Sequence, residues 1–567
     1  MKKKLLTLCL VFAMLFSMAL VANAANTISG GDALKANGET AIILDVRSAD
    51  KAHLAGSLSI PLFDSDNNLT EELAAAFSVA VKDNADLQGK DIYILCNSGA
   101  RGAENATKLL VEAGYDESKL YTITNGAKSL QIRYEFLNAA DKHTVENAEA
   151  VAAIENDNVV ILDVRTTENY NKGHLALSVH IPVFTANGPV DRADKDQLAI
   201  DFVNAAKDNA ALQGKDIYIL CNSGSRGAKA ATVLLQDAGY SLDNIYTIKG
   251  GAGGDAVKAK LKATVTDYKF VSGGDAVKAD ENKFVIDVRT KANYDAGTIK
   301  GAVNWPLFNA SGVTNGSDEL AREFLATVEA NASLLEGKKI YVLCNSGARG
   351  AQNATQLLAF AGYDVSTGDS GVVYTIKNGA KSLQVRYEFL NHNNTVTGKE
   401  AVAAAENNAV VIDVRNNTKY NEGHLEGSIH LPVFGEDSSL ADRFDGLDKA
   451  TTDALSKAFV EGVKANASAL EGKKIYILCN SGSRGAKAAT VLLKDAGYSL
   501  ENIYTITGGA TDEDVKAAFV TTPAQEQPEQ STNTEKAPAT GDATPIMIYA
   551  IAMLAAAFVI VRKRAFR

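Results

Sequence analysis

The sequence predicts an α/β protein built from four tandem copies of one domain, each a parallel sheet covered on both faces by helices. Three observations lead there. One segment recurs four times, marked by Asp45-Val46-Arg47, Asp163-Val164-Arg165, Asp287-Val288-Arg289 and Asp413-Val414-Arg415. Within each copy, short apolar runs alternate with stretches of helical periodicity. The chain has 567 residues, too many for one core, yet its 46% apolar and 22% charged residues are ordinary for globular domains. A single Trp and nine Pro fit helix-rich α/β domains better than β-sandwiches. The net charge of −11 gives a nucleic-acid partner no electrostatic support.

The N-terminus opens with Met1-Lys2-Lys3-Lys4, then an apolar run from Leu5 to Val21, then Ala22-Asn23-Ala24. A basic start, an apolar core and a small-residue site are the parts of a secretory signal peptide, residues 1–24, cut after Ala24. A retained membrane anchor is the other reading of this run.

The repeats occupy 25–520, about 124 residues each, a usual domain size. The expected domains are 25–140, 141–262, 263–393 and 394–520. Each begins with an apolar strand such as Ala41-Ile42-Ile43-Leu44, whose unbroken hydrophobicity suits a parallel strand buried on both faces. The Asp-Val-Arg triplet follows, then a turn and a short strand running into Pro61, Pro182, Pro306 or Pro432. In the first copy Thr70 to Asp83 reads as an additional helix. A second apolar strand, Ile92-Tyr93-Ile94-Leu95 in the first copy, runs into Cys-Asn-Ser-Gly. A helix comes next, closed by Gly114 and its equivalents, then Tyr-Thr-Ile and a Gly-containing turn. The copies alternate. The first and third share Asn-Gly-Ala-Lys-Ser-Leu-Gln from Asn125 and Asn378, and the second and fourth share fifteen residues from Cys221 and Cys479. Duplication of a two-domain unit is the simplest account.

Residues 521–536 are rich in Pro, Gln, Glu, Ser and Thr and read as an extended spacer. Residues 537–567 combine Ala537-Pro538-Ala539-Thr540-Gly541, an apolar span at 546–561 and a basic tail, Arg562-Lys563-Arg564. This order resembles the sorting signal of Gram-positive surface proteins, a Leu-Pro-x-Thr-Gly pentapeptide followed by a hydrophobic span and basic residues. Ala537 replaces the Leu. The resemblance implies sortase cleavage between Thr540 and Gly541 and linkage to peptidoglycan. The expected location is therefore extracellular, on the cell surface and anchored to the cell wall, with membrane contact during export. A plain C-terminal membrane anchor is the alternative.

Outside the leader each repeat carries one Cys at the same place: Cys96, Cys221, Cys344 and Cys479. Each stands alone in its domain, which disfavours disulfides. None has a second Cys or a His at ligand spacing, so no metal is expected. The loop Cys96-Asn97-Ser98-Gly99-Ala100-Arg101 joins a strand to a helix. Such a passage aims backbone N–H groups inward, and the helix N-terminus adds partial positive charge, which favours the thiolate. Gly99, Gly224, Gly347 and Gly482 let the backbone turn without a Cβ clash. Arg101, Arg226, Arg349 and Arg484 supply permanent cations able to hold an oxyanion. A buried structural Cys is the bland alternative.

The Asp-Val-Arg strand, the Gly-His-Leu-x-Gly-Ser turn (Gly423 to Ser428 in the fourth copy) and the Cys-x-x-Gly-x-Arg loop resemble rhodanese domains, across all four repeats. The resemblance implies parallel five-stranded sheets and a cofactor-free sulfurtransferase, in which a small donor such as thiosulfate loads the Cys as a persulfide for a nucleophilic acceptor. It makes the four cysteines the nucleophiles and the four Gly–Arg pairs substrate-binding. Four residues separate Cys from Arg, whereas related phosphatases place five, a wider cradle. His53, His174 and His424 occupy the turn, but the third copy has Thr298, which favours a structural role. Asp45 and its equivalents are expected to tie the strand end to the fold. The rival function is a non-catalytic binding or structural array.

Overall fold

A computed structural model describes residues 26–278, 280–309, 312–314 and 316–521. In the first domain β1 (Thr27–Ile28), β2 (Ala41–Asp45), β3 (Leu58–Ser59), β4 (Asp91–Leu95) and β5 (Leu120–Ile123) form one sheet. Its order is β1-β5-β4-β2-β3, and all neighbours are parallel. The other three domains repeat this five-stranded order and sense.

The two central strands are buried on both faces, as their composition requires. Alternate residues enter opposite cores. Ile42, Leu44 and Val46 pack with Phe77, Leu87 and Leu110, while Ala41 and Ile43 pack with Ala33 and Ile132. The helix expected between Thr70 and Asp83 spans Glu71–Val81. The Thr70 hydroxyl caps it by accepting from Leu73 N at 3.2 Å. Its Phe77 and the equivalent Phe202, Phe324 and Phe459 are almost wholly buried. Each contributes about 1.5–3 kcal/mol of burial, so this helix is a packing element.

The Asp-Val-Arg triplet locks the end of the central strand. Asp45 is fully buried and Arg47 nearly so. Arg47 grips the carboxylate through Nε at 2.9 Å and Nη2 at 2.7 Å, and donates to Ala52 O at 2.6 Å. His53 Nδ1 completes the site at 2.8 Å from Asp45 Oδ2. In the third domain Thr298 Oγ1 makes the same bond to Asp287 Oδ2, also at 2.8 Å. Asp45 and Asp287 thus tie the strand end, with His53 or Thr298 as a further partner, whereas His174 and His424 set Nδ1 3.1 Å from Tyr170 O and Tyr420 O.

Leu177 stands where the first copy has Gly56, and both are left-handed, at φ +57° and +73°. That conformation costs a non-Gly residue about 1–2 kcal/mol. The Leu177 side chain offsets it by entering the hydrophobic core of the third domain. Arg322 of that domain reaches back to Asp157 at 3.0 Å.

No helix among the described residues is long and apolar enough to cross a membrane. The signal-peptide segment 1–24, the cleavage pair Thr540–Gly541 and the apolar span 546–561 lie outside the described residues.

Candidate active site

Each predicted nucleophile sits directly after the C-terminal end of a central strand, the edge where ligands meet parallel α/β sheets. Cys96, Cys221, Cys344 and Cys479 are free thiols with 3%, 1%, 1% and 1% exposure. Among the described residues no group of His, Cys, Asp and Glu could hold a metal ion.

Beyond each Cys the chain curls into a loop and enters a helix that starts at the predicted arginine: Arg101–Glu112, Arg226–Asp237, Arg349–Phe360 and Arg484–Asp495. The backbone N–H groups of residues 97–102 donate to no partner among the described residues, nor do those of 222–227, 345–350 and 480–485. A row of free amides at a helix N-terminus is an anion nest. A thiolate or persulfide beside it gains hydrogen-bond donors and a favourable dipole.

The predicted glycines shape this curl. Gly99, Gly224, Gly347 and Gly482 have φ between +64° and +67°. A Cβ at Gly99 would lie 2.5 Å from Ile123 O, and the other three would meet equivalent carbonyls at 2.5–2.6 Å. Only glycine fits there.

The four arginines are exposed. Arg101 Nη2 lies 3.5 Å from Asn67 O, and Arg226 Nη1 lies 3.8 Å from Asp32 Oδ1 of the first domain. A cleft of about 690 Å³ opens there between the first two domains, lined by Asp32, Lys35, Gln131, Glu135, Arg226 and Lys229 among others.

Two features escaped the sequence reading. Gly102, Gly227, Gly350 and Gly485 follow the arginines, and a Cβ at Gly102 would stand 2.8 Å from Cys96 Cβ and 3.3 Å from its sulfur. Against these glycines lie Phe63, Phe184, Phe308 and Phe434, which wall the thiol on its apolar side. The signal was present: a Gly after each loop arginine and a Phe two residues after each strand-ending Pro. Away from the loops, burial lowers the His174 pKa to about 4 and raises that of Asp191.

The fold and these loops define a class: parallel α/β domains that place one buried thiol between a central strand and a loop whose backbone amides donate to no described residue. The rhodanese-like domain model matches residues 31–131, 146–254, 274–382 and 397–512. The chain belongs to the rhodanese-like domain family, in four tandem copies. A 119-residue stretch is 34% identical to the tRNA uridine(34) hydroxylase of Rickettsia typhi, covering 21% of this chain and 40% of that protein. The enzyme of the same name from Brucella suis is 35% identical over 105 residues, covering 18% and 27%. These matches thus span less than half of either relative. Among solved structures, the thiosulfate sulfurtransferase of Pseudomonas aeruginosa aligns at 15% identity over 85% of this chain and 86% of that one, with a TM-score of 0.17. A rhodanese-like domain from Anabaena aligns at 16% identity over 27% and 98%, also with a TM-score of 0.17.

Proposed function

We propose that the protein is a surface-displayed sulfurtransferase with four persulfide-forming sites. The observation that carries this reading is the repeated loop, in which a buried thiol lies beside six backbone amides that donate to no other described residue. The thiolate of Cys96, Cys221, Cys344 or Cys479 attacks the sulfane sulfur of a donor such as thiosulfate. The donor S–S bond breaks, and sulfite leaves with the electron pair. The enzyme now holds Cys–S–S⁻, whose negative terminal sulfur the amides stabilise. A nucleophile such as cyanide attacks that outer sulfur, forms thiocyanate and returns the thiolate. Gly99, Gly224, Gly347 and Gly482 keep the amides inward. Arg101, Arg226, Arg349 and Arg484 draw anionic donors to the loop mouths. Burial of the thiols favours small donors and acceptors.

Thiosulfate-to-cyanide transfer tests the reading. The rate falls stepwise as the four cysteines become Ser, and vanishes in the fourfold variant. An unchanged rate in that variant overturns the mechanism and leaves the non-catalytic array.

Display at the cell surface is part of the same proposal. It rests on the signal-peptide pattern of 1–24 and the sorting pattern of 537–567. Sortase then joins Thr540 to peptidoglycan and removes Gly541 to Arg567, and the spacer holds the acidic domains off the wall. Muralytic digestion with C-terminal peptide mapping recovers Thr540 as the last residue. Recovery of intact 546–561 from the membrane fraction alone supports a plain membrane anchor instead.

A further inference from the structure

The motif Asn-Gly-Ala-Lys-Ser-Leu-Gln occurs only in the first and third copies, at Asn125–Gln131 and Asn378–Gln384. The other copies carry Gly250-Gly251-Ala252-Gly253-Gly254 and Gly508-Gly509-Ala510-Thr511-Asp512 in its place. One end of the motif underlies the Cys loop of its own domain. Ala127 N donates to Cys96 O at 2.9 Å, and Gly126 is so close that a Cβ would fall 2.1 Å from that oxygen. The other end touches the Cys loop of the next domain. Gln131 Nε2 donates at 2.9 Å to the carbonyl of Arg226, the first residue of the helix after Cys221. Between these ends the second domain grips the motif. Asp191 accepts from Ser129 Oγ at 2.6 Å and from Asn125 Nδ2 at 3.0 Å, and its carbonyl accepts from Leu130 N at 2.8 Å.

The second unit repeats every bond. Ala380 N donates to Cys344 O at 2.9 Å, and Gln384 Nε2 donates to Arg484 O at 2.9 Å. Asp442 accepts from Ser382 Oγ at 2.7 Å and Asn378 Nδ2 at 2.6 Å. Gln384 is 3% exposed, and its Oε1 has no hydrogen-bond partner among the described residues. An apolar residue would avoid burying an unpaired acceptor. The buried amide is therefore explained by its one donation, to the neighbouring loop.

We infer that this seven-residue motif couples the two thiol loops of each two-domain unit, with Gln131 and Gln384 as positioning residues for Cys221 and Cys479. The inference rests on the reading of the four cysteines as the reactive groups. Through the motif, a shift of the Cys96 loop reaches the helix that heads the Cys221 loop. The unit of function is then a pair of domains, and the Cys loops within a pair respond together.

The test is peptide-resolved alkylation of the full-length chain by iodoacetamide across a pH series. Cys344 and Cys479 serve as internal controls. Gln131→Met keeps the side-chain volume and removes the donor. It changes the Cys221 rate by about threefold or more and shifts its pH profile, with the controls unmoved. Asp191→Ala, which removes the two side-chain bonds of the grip, changes Cys96 and Cys221 together. The inference is overturned if Gln131→Met leaves Cys221 unchanged, or if Asp191→Ala moves Cys96 alone. An equal change at all four thiols also overturns it, since that is general loosening. Alkylation involves no sulfur donor. Coupled thiols without persulfide would therefore sink the sulfurtransfer reading and leave the coupling standing.

Discussion

Replacing Arg289 by Met in the third domain tests how the strand end is held. The substitution removes the Nε bond to Asp287 Oδ1 at 2.9 Å, the Nη2 bond to Oδ2 at 2.6 Å and the Nη2 bond to Gly297 O at 2.6 Å. It also removes the guanidinium that lies over the Phe389 ring, 5.2 Å from its centroid. Asp287 remains, fully buried, with the Thr298 hydroxyl and the Arg289 backbone N–H as its donors. Breaking one side of a buried ion pair costs about 3–5 kcal/mol, because the remaining charge is uncompensated. The readout is unusually clean. Trp305 is the only tryptophan in the chain. Its backbone N donates to Asp287 O at 3.1 Å, and its ring packs on Phe284 and Phe324. Trp305 fluorescence therefore follows the third domain within the four-domain protein. With a urea m-value of about 1.5 kcal/mol/M, a loss of 4 kcal/mol lowers the midpoint by roughly 2–3 M. A midpoint shift below about 0.5 M would refute the claim that this pair locks the strand.

Three further outcomes are expected. His53→Thr leaves sulfur transfer intact and costs less than about 1 kcal/mol, since Thr298 already makes the equivalent bond; loss of activity at Cys96 would return the His to a chemical role. Gly224→Ala places a Cβ 2.5 Å from Ile248 O at φ +67°. It abolishes persulfide formation at Cys221 while sparing Cys344, whereas Gly239→Ala, strained at φ +100° but meeting nothing within 4 Å, spares both. Acid weakens the second domain through His174, whose pKa burial lowers to about 4 in the presence of Asp163, Arg165 and His180. Between the unfolded value near 6.5 and 4, the unfolded chain binds more protons than the native one. Stability therefore falls as pH drops through that window, by about 3 kcal/mol at most, and levels off below it. Hydrogen exchange of second-domain peptides at pH 7 and 4.5 reads this, and a His174→Leu chain that kept the full pH dependence would contradict it.

The repeat, the strands and the Cys loop were legible because each is local. Unbroken apolar runs mark buried parallel strands, and Cys-x-x-Gly-x-Arg lies in one contiguous stretch. That Asp45 ties the strand end was legible too, but its partner Arg47, only two residues away, emerges from the structure. The wall of Phe63 and its equivalents lies more than thirty residues before the Cys, and only the fold brings it there. The links between domains were hidden for the same reason. Gln131 reads as an ordinary polar helix residue until Arg226 O, 95 residues on, is found against it. Leu177, left-handed where the first copy has Gly56, has its explanation in the core of the next domain, beyond any local pattern.

Mass spectrometry of the four loop peptides after treatment with thiosulfate, without added acceptor, addresses the central claim most directly. Persulfide formation adds one sulfur atom to each peptide carrying Cys96, Cys221, Cys344 or Cys479, removable by cyanide and absent from the matching Cys→Ser chains. Four unmodified peptides from folded, reduced protein would contradict the account.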